Sequence, residues 1–480
     1  MVIVGAGFGG LGMARQLQLA GVDDFVILDR GDEVGGTWRD NTYPGCGCDV
    51  RSHLYSWSFE LNPHWSRRYA LQPEIQAYVL GCVDRWGLRD RLRFGADVVR
   101  AVFDEDRATW TLHCADGRAF RAPFQVSAIG GLKDARLPDL PGMGSFAGPS
   151  MHSARWDPTV DLQGKRVGVV GTGASAVQIV PELAGVASEV VVFQRTPAWV
   201  VPRRDGPIPR WRQWLYSRVP GLMRAVRAVE YATYEVRYPA VFGPWAPARS
   251  LVERLAKEHV RRTVRDPATA AALTPAYELG CKRILISDAF LESFNRDDVR
   301  LVCGGIDAVT PGGLRVGSEE HDVDVLIWCT GFLVDEPLGH VDVLGRGARR
   351  LAEVWGPRPS AHLGMTVPGF PNAFLLMGPN TALGHNSVIV MIEAQVRYVL
   401  QAMAWAKEQR PHRPVVEVRG SALEAFVQEV DRKHGAQVWG TGCRSWYLNA
   451  AGQNFTIWPA STLSYRRRTR RFDPALHTSG

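Results

Sequence analysis

The chain is 480 residues long, more than one hydrophobic core usually supports, and its 46% hydrophobic and 22% charged residues exclude a mainly disordered, fibrous or disulfide-scaffold protein. Its formal net charge of +7 comes without a zinc-finger or RNA-binding signature, so the excess is read as arginines holding anionic cofactors and not as a nucleic-acid surface. Eight cysteines, sparse and irregularly spaced, give no disulfide framework and point to a reducing compartment; with no basic leader and no apolar run of about 18 residues, the expectation is a cytoplasmic protein without a transmembrane segment.

Val2-Ile3-Val4 reads as a strand, Gly5-Ala6-Gly7-Phe8-Gly9-Gly10 as a tight turn, the run to Gly21 as a helix, and Phe25 to Asp29 as a returning strand, which together make one βαβ unit. Gly5 permits the turn, Gly7 lets the backbone approach a pyrophosphate, and Gly10 lets helix and strand pack closely, with Phe8 counted among the cofactor contacts. Asp29 ends the second strand 24 positions after Gly5, where a carboxylate accepts from a ribose diol and repels a 2′-phosphate, a choice that selects FAD or NAD. Cys46 and Cys48, one residue apart, match neither a redox pair nor a zinc spacing and are read as ordinary buried thiols.

A second unit of the same order runs from Arg166-Val167-Gly168-Val169-Val170 through Gly171-Thr172-Gly173-Ala174-Ser175-Ala176 to Val190-Val191-Val192-Phe193-Gln194-Arg195. Arg195, followed by Thr196, holds the slot that Asp29 holds in the first unit, and a guanidinium there can fork onto a 2′-phosphate, so this unit is expected to take NADP. From about 206 to 275 the spacing turns helical and rich in Arg, Trp and Tyr, which reads as an insertion that caps a site, lies on a membrane surface or packs on its own domain. Apolar strands return at Val323 to Trp328 and Phe374 to Met377, and the basic run Arg466 to Arg471 reads as a solvated face. Trp439, Trp446 and Trp458 line an apolar pocket or belong to the core. The fold class is therefore α/β, with two Rossmann-like dinucleotide-binding domains and a helical insertion. The FAD-binding domain is expected over 1–150 and 336–480, the NADP-binding domain over 151–205 and 276–335, and the insertion over 206–275. Two such sites imply electrons passing from NADPH to a flavin, and without a suitable cysteine pair the remaining common acceptor is oxygen.

Between the units, Phe146-Ala147-Gly148-Pro149-Ser150-Met151-His152-Ser153-Ala154-Arg155-Trp156-Asp157 resembles the Baeyer–Villiger monooxygenase fingerprint F-x-G-x-x-x-H-x-x-x-W-P/D at every defined position. Gly35-Gly36-Thr37-Trp38 with Tyr43 to Asp49 and Tyr55, Gly280-Cys281-Lys282-Arg283, Cys329-Thr330-Gly331, and Gly378-Pro379-Asn380 with His385-Asn386-Ser387 are similar to the same class B flavoprotein monooxygenases, over essentially the whole chain. Departures are Asp29 where glutamate is commoner and Ala128-Ile129-Gly130 in place of an Ala-Thr-Gly turn. The resemblance implies FAD contacts at Thr37, Trp38, Asp49, Tyr55 and Val98, and NADP contacts at Lys282, Arg283 and Trp446. It implies Arg283 as the catalytic cation, Asp49 as its partner, and His152 as a residue coupling the domains and not transferring protons. The activity it implies is oxygen insertion from O2 next to a ketone in a small-molecule substrate, with sulfur or nitrogen oxidation as the nearer alternative and electron donation to a partner protein as the remoter one.

Overall fold

In the computed structural model the described residues are 1–243, 246–334, 336–443 and 445–480; positions 244 and 245 of the expected insertion, and 335 at the expected end of the NADP-binding domain, lie outside them. The short apolar runs that open the chain become the centre of a parallel sheet, because strands covered on both faces bury every side chain. Its order is Ala373–Leu375, Gln125–Ser127, Val2–Val4, Val26–Leu28 and Leu92–Arg93, all parallel. The helices Phe8–Leu19 and Val388–Gln409 pack together on one side of it. The other side is covered by an antiparallel layer of Val98–Asp104, Thr109–Cys114 and Ala119–Ala122, with Asp342–Leu344 alongside. Val388–Gln409 is long and apolar enough to cross a membrane, but 61% of that stretch is buried inside the molecule, as a core helix would be.

A second parallel sheet runs Val299–Cys303, Glu189–Gln194, Arg166–Val170, Val325–Trp328 and Ser150–His152. The helix Ala174–Leu183 lies on one face, and a small antiparallel layer built from Ala308–Val309, Gly313–Val316 and Glu319–Asp322 lies on the other. The first sheet takes strands from both ends of the chain and the second only from its middle, so the chain crosses between them twice. The two crossings touch where Ala135 bridges Phe332 and the Arg136 N–H donates to Gly331 O at 2.9 Å. Between Gln194 and Val299 lie the helices Arg210–Arg218, Leu222–Val241, Ala246–Thr263 and Pro267–Ala272.

One bridge goes beyond what the cysteine spacing announces. Cys281 and Cys443, separated by 162 positions, form a disulfide with their Cα atoms 5.7 Å apart. Bridging depends on distance in the fold, which spacing along the chain does not carry, so the cysteine count gives no argument for a reducing compartment at this pair. Cys46 and Cys48 are free and buried, as expected, and burial pushes the Cys46 thiol up to about 12, leaving it inert.

Candidate active site

The first glycine turn is shaped by contacts only glycine tolerates. Gly5 has φ +106°, and a Cβ there would stand 2.5 Å from Ala128 O; a Cβ on Gly10 would stand 1.8 Å from Gly5 O. Gly7 caps the helix Phe8–Leu19 with no side-chain bond, and across from it lies Gly36, whose own Cβ would approach Gly7 Cα to 3.3 Å. The first-turn N–H groups therefore open on a gap kept clear of side chains, which fits the pyrophosphate of FAD. Asp29 is buried and its carboxylate already accepts from Ala6 N at 2.7 Å, Gly31 N at 2.8 Å and Arg39 Nη1 at 2.7 Å. A carboxylate offers about four acceptor positions, so roughly one remains for a ribose hydroxyl. Val98 begins its strand two residues beyond Ala96, whose N–H donates to Asp29 O at 2.9 Å, which sets it beside the same edge. Phe8, Trp38 and Tyr55 form one aromatic group: the Phe8 and Tyr55 rings are 5.3 Å apart, and Trp38 Nε1 donates to Tyr55 Oη at 3.1 Å. Thr37 is exposed at the start of the short helix Thr37–Asp40.

The second turn repeats the design. Gly171 has φ +103°, with Cys329 O 2.8 Å from where a Cβ would be, and Gly173 caps Ala174–Leu183 with no side-chain bond and only Cys329 O, at 3.9 Å, within reach of a Cβ. Thr172 Oγ1 donates to Thr196 O at 3.1 Å, tying the turn to the end of the next strand, while Ala176 is buried behind it and Ser175 half-buried. Arg195 stands exposed at that strand end, and Lys282 lies close enough that burial and the charge of Arg195 together lower its pKa. Neither cation is paired with a carboxylate among the described residues. Two unneutralised cations beside a glycine-lined helix start fit the extra phosphate of NADP.

Between the two turns sits an ion pair made from distant parts of the chain. Arg283 Nε donates to Asp49 Oδ2 at 2.9 Å, its Nη2 donates to the same oxygen, and its Nη1 reaches Leu383 O at 3.4 Å. Each side chain keeps about one third of its surface exposed, 33% for Arg283 and 32% for Asp49. The charge of Asp49 holds the guanidinium above its already high pKa, so the group is a permanent cation. The elements meet because Gln178, on the helix behind the second turn, donates to Gly47 O at 2.9 Å and accepts from Tyr43 Oη at 3.0 Å, while Arg203 donates to Cys48 O at 2.9 Å.

His152 is not part of this cluster. It ends the edge strand of the second sheet, beside the paired crossings, where Nδ1 accepts from Ala154 N at 3.0 Å and the ring meets Phe332 edge-on at 5.9 Å. Burial holds its pKa below the ordinary value, so it is neutral near pH 7. Trp446 is 45% exposed on the loop that the disulfide fastens to Cys281, whereas Trp439 and Trp458 are core residues, packed against Phe242 at 5.5 Å and Tyr465 at 5.1 Å. Sequence reasoning missed Tyr447, which is buried within electrostatic reach of both Arg283 and Asp49 and has its phenol pushed up to about 12 by burial. Its place directly after Trp446 was the one available signal. Gln178 was missed as well, and a lone helical glutamine carries no signal.

Against known proteins, residues 3–70 match the NAD(P)-binding Rossmann-like domain and residues 118–236 the flavin-binding monooxygenase-like family. A Baeyer–Villiger monooxygenase of Pseudomonas aeruginosa is 41% identical over 482 residues, covering 99% of this chain and 90% of that protein. Among solved structures, an oxidized steroid monooxygenase bound to NADP superposes with a TM-score of 0.85 at 30% identity, covering 98% of this chain and 96% of the other. A complex of OTEMO with FAD and NADP superposes with a TM-score of 0.88 at 29% identity and the same coverage. With two glycine-cradled nucleotide turns, a carboxylate-held arginine between them and that full-length likeness, the chain belongs to the Baeyer–Villiger monooxygenases of the flavin-binding monooxygenase family.

Proposed function

We propose that this enzyme uses FAD, NADPH and O2 to insert one oxygen atom beside the carbonyl of a small-molecule ketone, giving an ester or lactone. The observation that carries this reading is the Arg283–Asp49 pair, a permanent, partly desolvated cation set between the two nucleotide turns. FAD supplies, when bound, the chemistry that takes hydride from NADPH and activates oxygen. The chain's own contribution is electrostatic. Arg283 keeps free donor positions beyond those spent on Asp49, and these can be aimed at the carbonyl oxygen as the ketone becomes tetrahedral and negative charge gathers there. Asp49 fixes the direction of the guanidinium and tempers its field, so that a donor is in place before the charge develops. Gly5, Gly7, Phe8, Gly10, Asp29, Thr37, Trp38, Tyr55 and Val98 would hold FAD. Gly171 to Ala176, Arg195, Thr196, Lys282 and Trp446 would hold NADP, with Lys282 beside Arg195 toward the 2′-phosphate. His152, neutral and wedged at the crossings, would couple the two sheets and move no proton. We place the domain boundaries near 150 and 335, by the two crossings between the sheets, and near 205 and 275, at the ends of the helical insertion, and the reaction in the cytoplasm, where NADPH is supplied.

The test is Arg283→Ala. Reduction of bound flavin by NADPH is expected to keep its rate, while ester formation falls on the order of 10²–10³-fold, as when one oxyanion donor is removed. A normal product yield would overturn the assignment.

A further inference from the structure

The helix Arg210–Arg218 buries none of its residues. Its inner side is tethered, with Gln213 Nε2 donating to Trp65 O at 3.1 Å and Ile208 O at 3.2 Å, and Tyr216 meeting His53 edge-on at 4.9 Å. Its outer side presents Trp211 and Trp214, each 59% exposed, with Arg218 one turn further on, positions that share a face at helical spacing. The next helix, Leu222–Val241, continues the surface: Ala225, Val229, Ala232 and Val236 recur at intervals of three and four and are all exposed, Val229 at 66% and Val236 at 76%. Two helices in succession therefore turn their tryptophans and an apolar stripe to solvent, where a water-facing helix would carry polar side chains.

The charge on this surface has one sign. Residues 210–229 contain five arginines and no aspartate or glutamate. Arg227 turns inward and donates to His53 O and Leu54 O, but Arg210, Arg212, Arg218 and Arg224 are exposed and make no ion pair among the described residues. Tryptophan beside arginine, over an apolar stripe and with no carboxylate among them, is the composition of a helix lying in the plane of a lipid headgroup layer. We infer that the outer face of Arg210–Arg218 and Leu222–Val241 docks on an anionic membrane surface. A second copy of the chain fits less well, because a two-fold contact sets the patch against itself and four unpaired arginines against four more. Nucleic acid would satisfy the arginines and leave the stripe of Ala225, Val229, Ala232 and Val236 in water. The inner side of Leu222–Val241 supplies Tyr238 to the apolar cluster around Cys281 and Tyr447, so docking brings a wall of the candidate active site close to lipid.

The experiment is sedimentation of the FAD-loaded full chain with vesicles of phosphatidylcholine containing about one third phosphatidylglycerol, and with phosphatidylcholine alone. The protein is expected to pellet with the mixed vesicles, at least about tenfold more weakly with the neutral ones, and less as salt rises. Trp211→Ser with Trp214→Ser, and separately Arg212→Glu with Arg218→Glu, are each expected to weaken binding about tenfold or more while turnover of a water-soluble ketone without vesicles stays at the wild-type value, showing that the variants fold. Failure to pellet with the mixed vesicles, or equal binding by both variants, overturns the inference. So does a concentration-dependent dimer that the same substitutions abolish.

Discussion

Cys281 and Cys443 are bridged so that one half of the disulfide lies immediately before Lys282 and Arg283 and the other three residues before Trp446. The bond therefore straps the loop carrying Trp446 and Tyr447 onto the segment that supplies both candidate cations. Closing so long a loop restricts the unfolded chain by about 3–5 kcal/mol in the entropic account. A bridge of this kind can be opened by an added thiol reductant. Treatment with a dithiol, or Cys443→Ser, is expected to weaken NADP binding severalfold and to lower the melting temperature while FAD stays bound. Titrating NADP against intrinsic tryptophan fluorescence in the oxidised, reduced and substituted proteins checks this. Equal affinities in all three would mean that the strap plays no part in holding the cofactor.

Asp49 is the sole carboxylate bonded to Arg283 among the described residues, and both side chains are about one third exposed, so solvent screening limits what the pair adds to folding to about 1 kcal/mol or less. Its effect on turnover is expected to be larger than its effect on stability. Asp49→Asn preserves shape and removes the charge, leaving the guanidinium free to swing away from the reacting carbonyl. Turnover should fall at least about tenfold, which corresponds to about 1.4 kcal/mol of lost transition-state stabilisation, with thermal unfolding nearly unchanged. Parallel loss of activity and of melting temperature would instead mark Asp49 as a structural residue.

Arg195 gives a prediction about cofactor choice. A charge-assisted hydrogen bond contributes about 1.5–3 kcal/mol, so Arg195→Ala should raise the KM for NADPH on the order of 10–100-fold. NADH, which lacks the 2′-phosphate, should be used as before. If both cofactors lose equally, the residue holds the pyrophosphate or the fold and does not read the ribose.

Both sheets were legible because their evidence is local. Val2-Ile3-Val4, the glycines that follow and Asp29 lie within thirty residues, and Arg166 to Arg195 repeats the pattern, so one strand, turn and helix set each end of the inference. The Arg283–Asp49 pair was legible only through resemblance, since nothing near either residue points to a partner 234 positions away. Cys281–Cys443, Gln178 and Tyr447 were hidden for the same reason: their meaning lies in what the two crossings and the insertion bring beside them. The partial occupation of Asp29 by Ala6, Gly31 and Arg39 was hidden differently, because a shorter acid reads in sequence as a conservative change and its hydrogen bonds show only in three dimensions.

Glu235, on the helix Leu222–Val241, ties the insertion to the last part of the chain and makes folding sensitive to acid. Its carboxylate accepts from Asn386 Nδ2 at 2.7 Å, Thr462 N at 3.2 Å, the Thr462 hydroxyl and Leu463 N at 3.2 Å, and His385 Nε2 lies 3.4 Å away. Burial alone would raise its pKa, but the nearby His385 and the bonds from Thr462 and Asn386 outweigh that and bring it from 4.5 down to about 2. With the side chain only 12% exposed, the folded chain's weaker hold on that proton is worth on the order of 3 kcal/mol. Because the folded value lies below the unfolded one, this stability is fully present above about pH 4.5 and is lost as pH falls toward 2. Glu235→Gln cannot ionise and turns an amide donor toward donors, so it should be less stable than wild type by a similar amount at pH 7. The gap between the two proteins should close as the pH is lowered from 4.5 to 2. Urea unfolding at several pH values across that window measures the gap directly, and a difference that does not change with pH would show that Glu235 acts through packing and not through its charge.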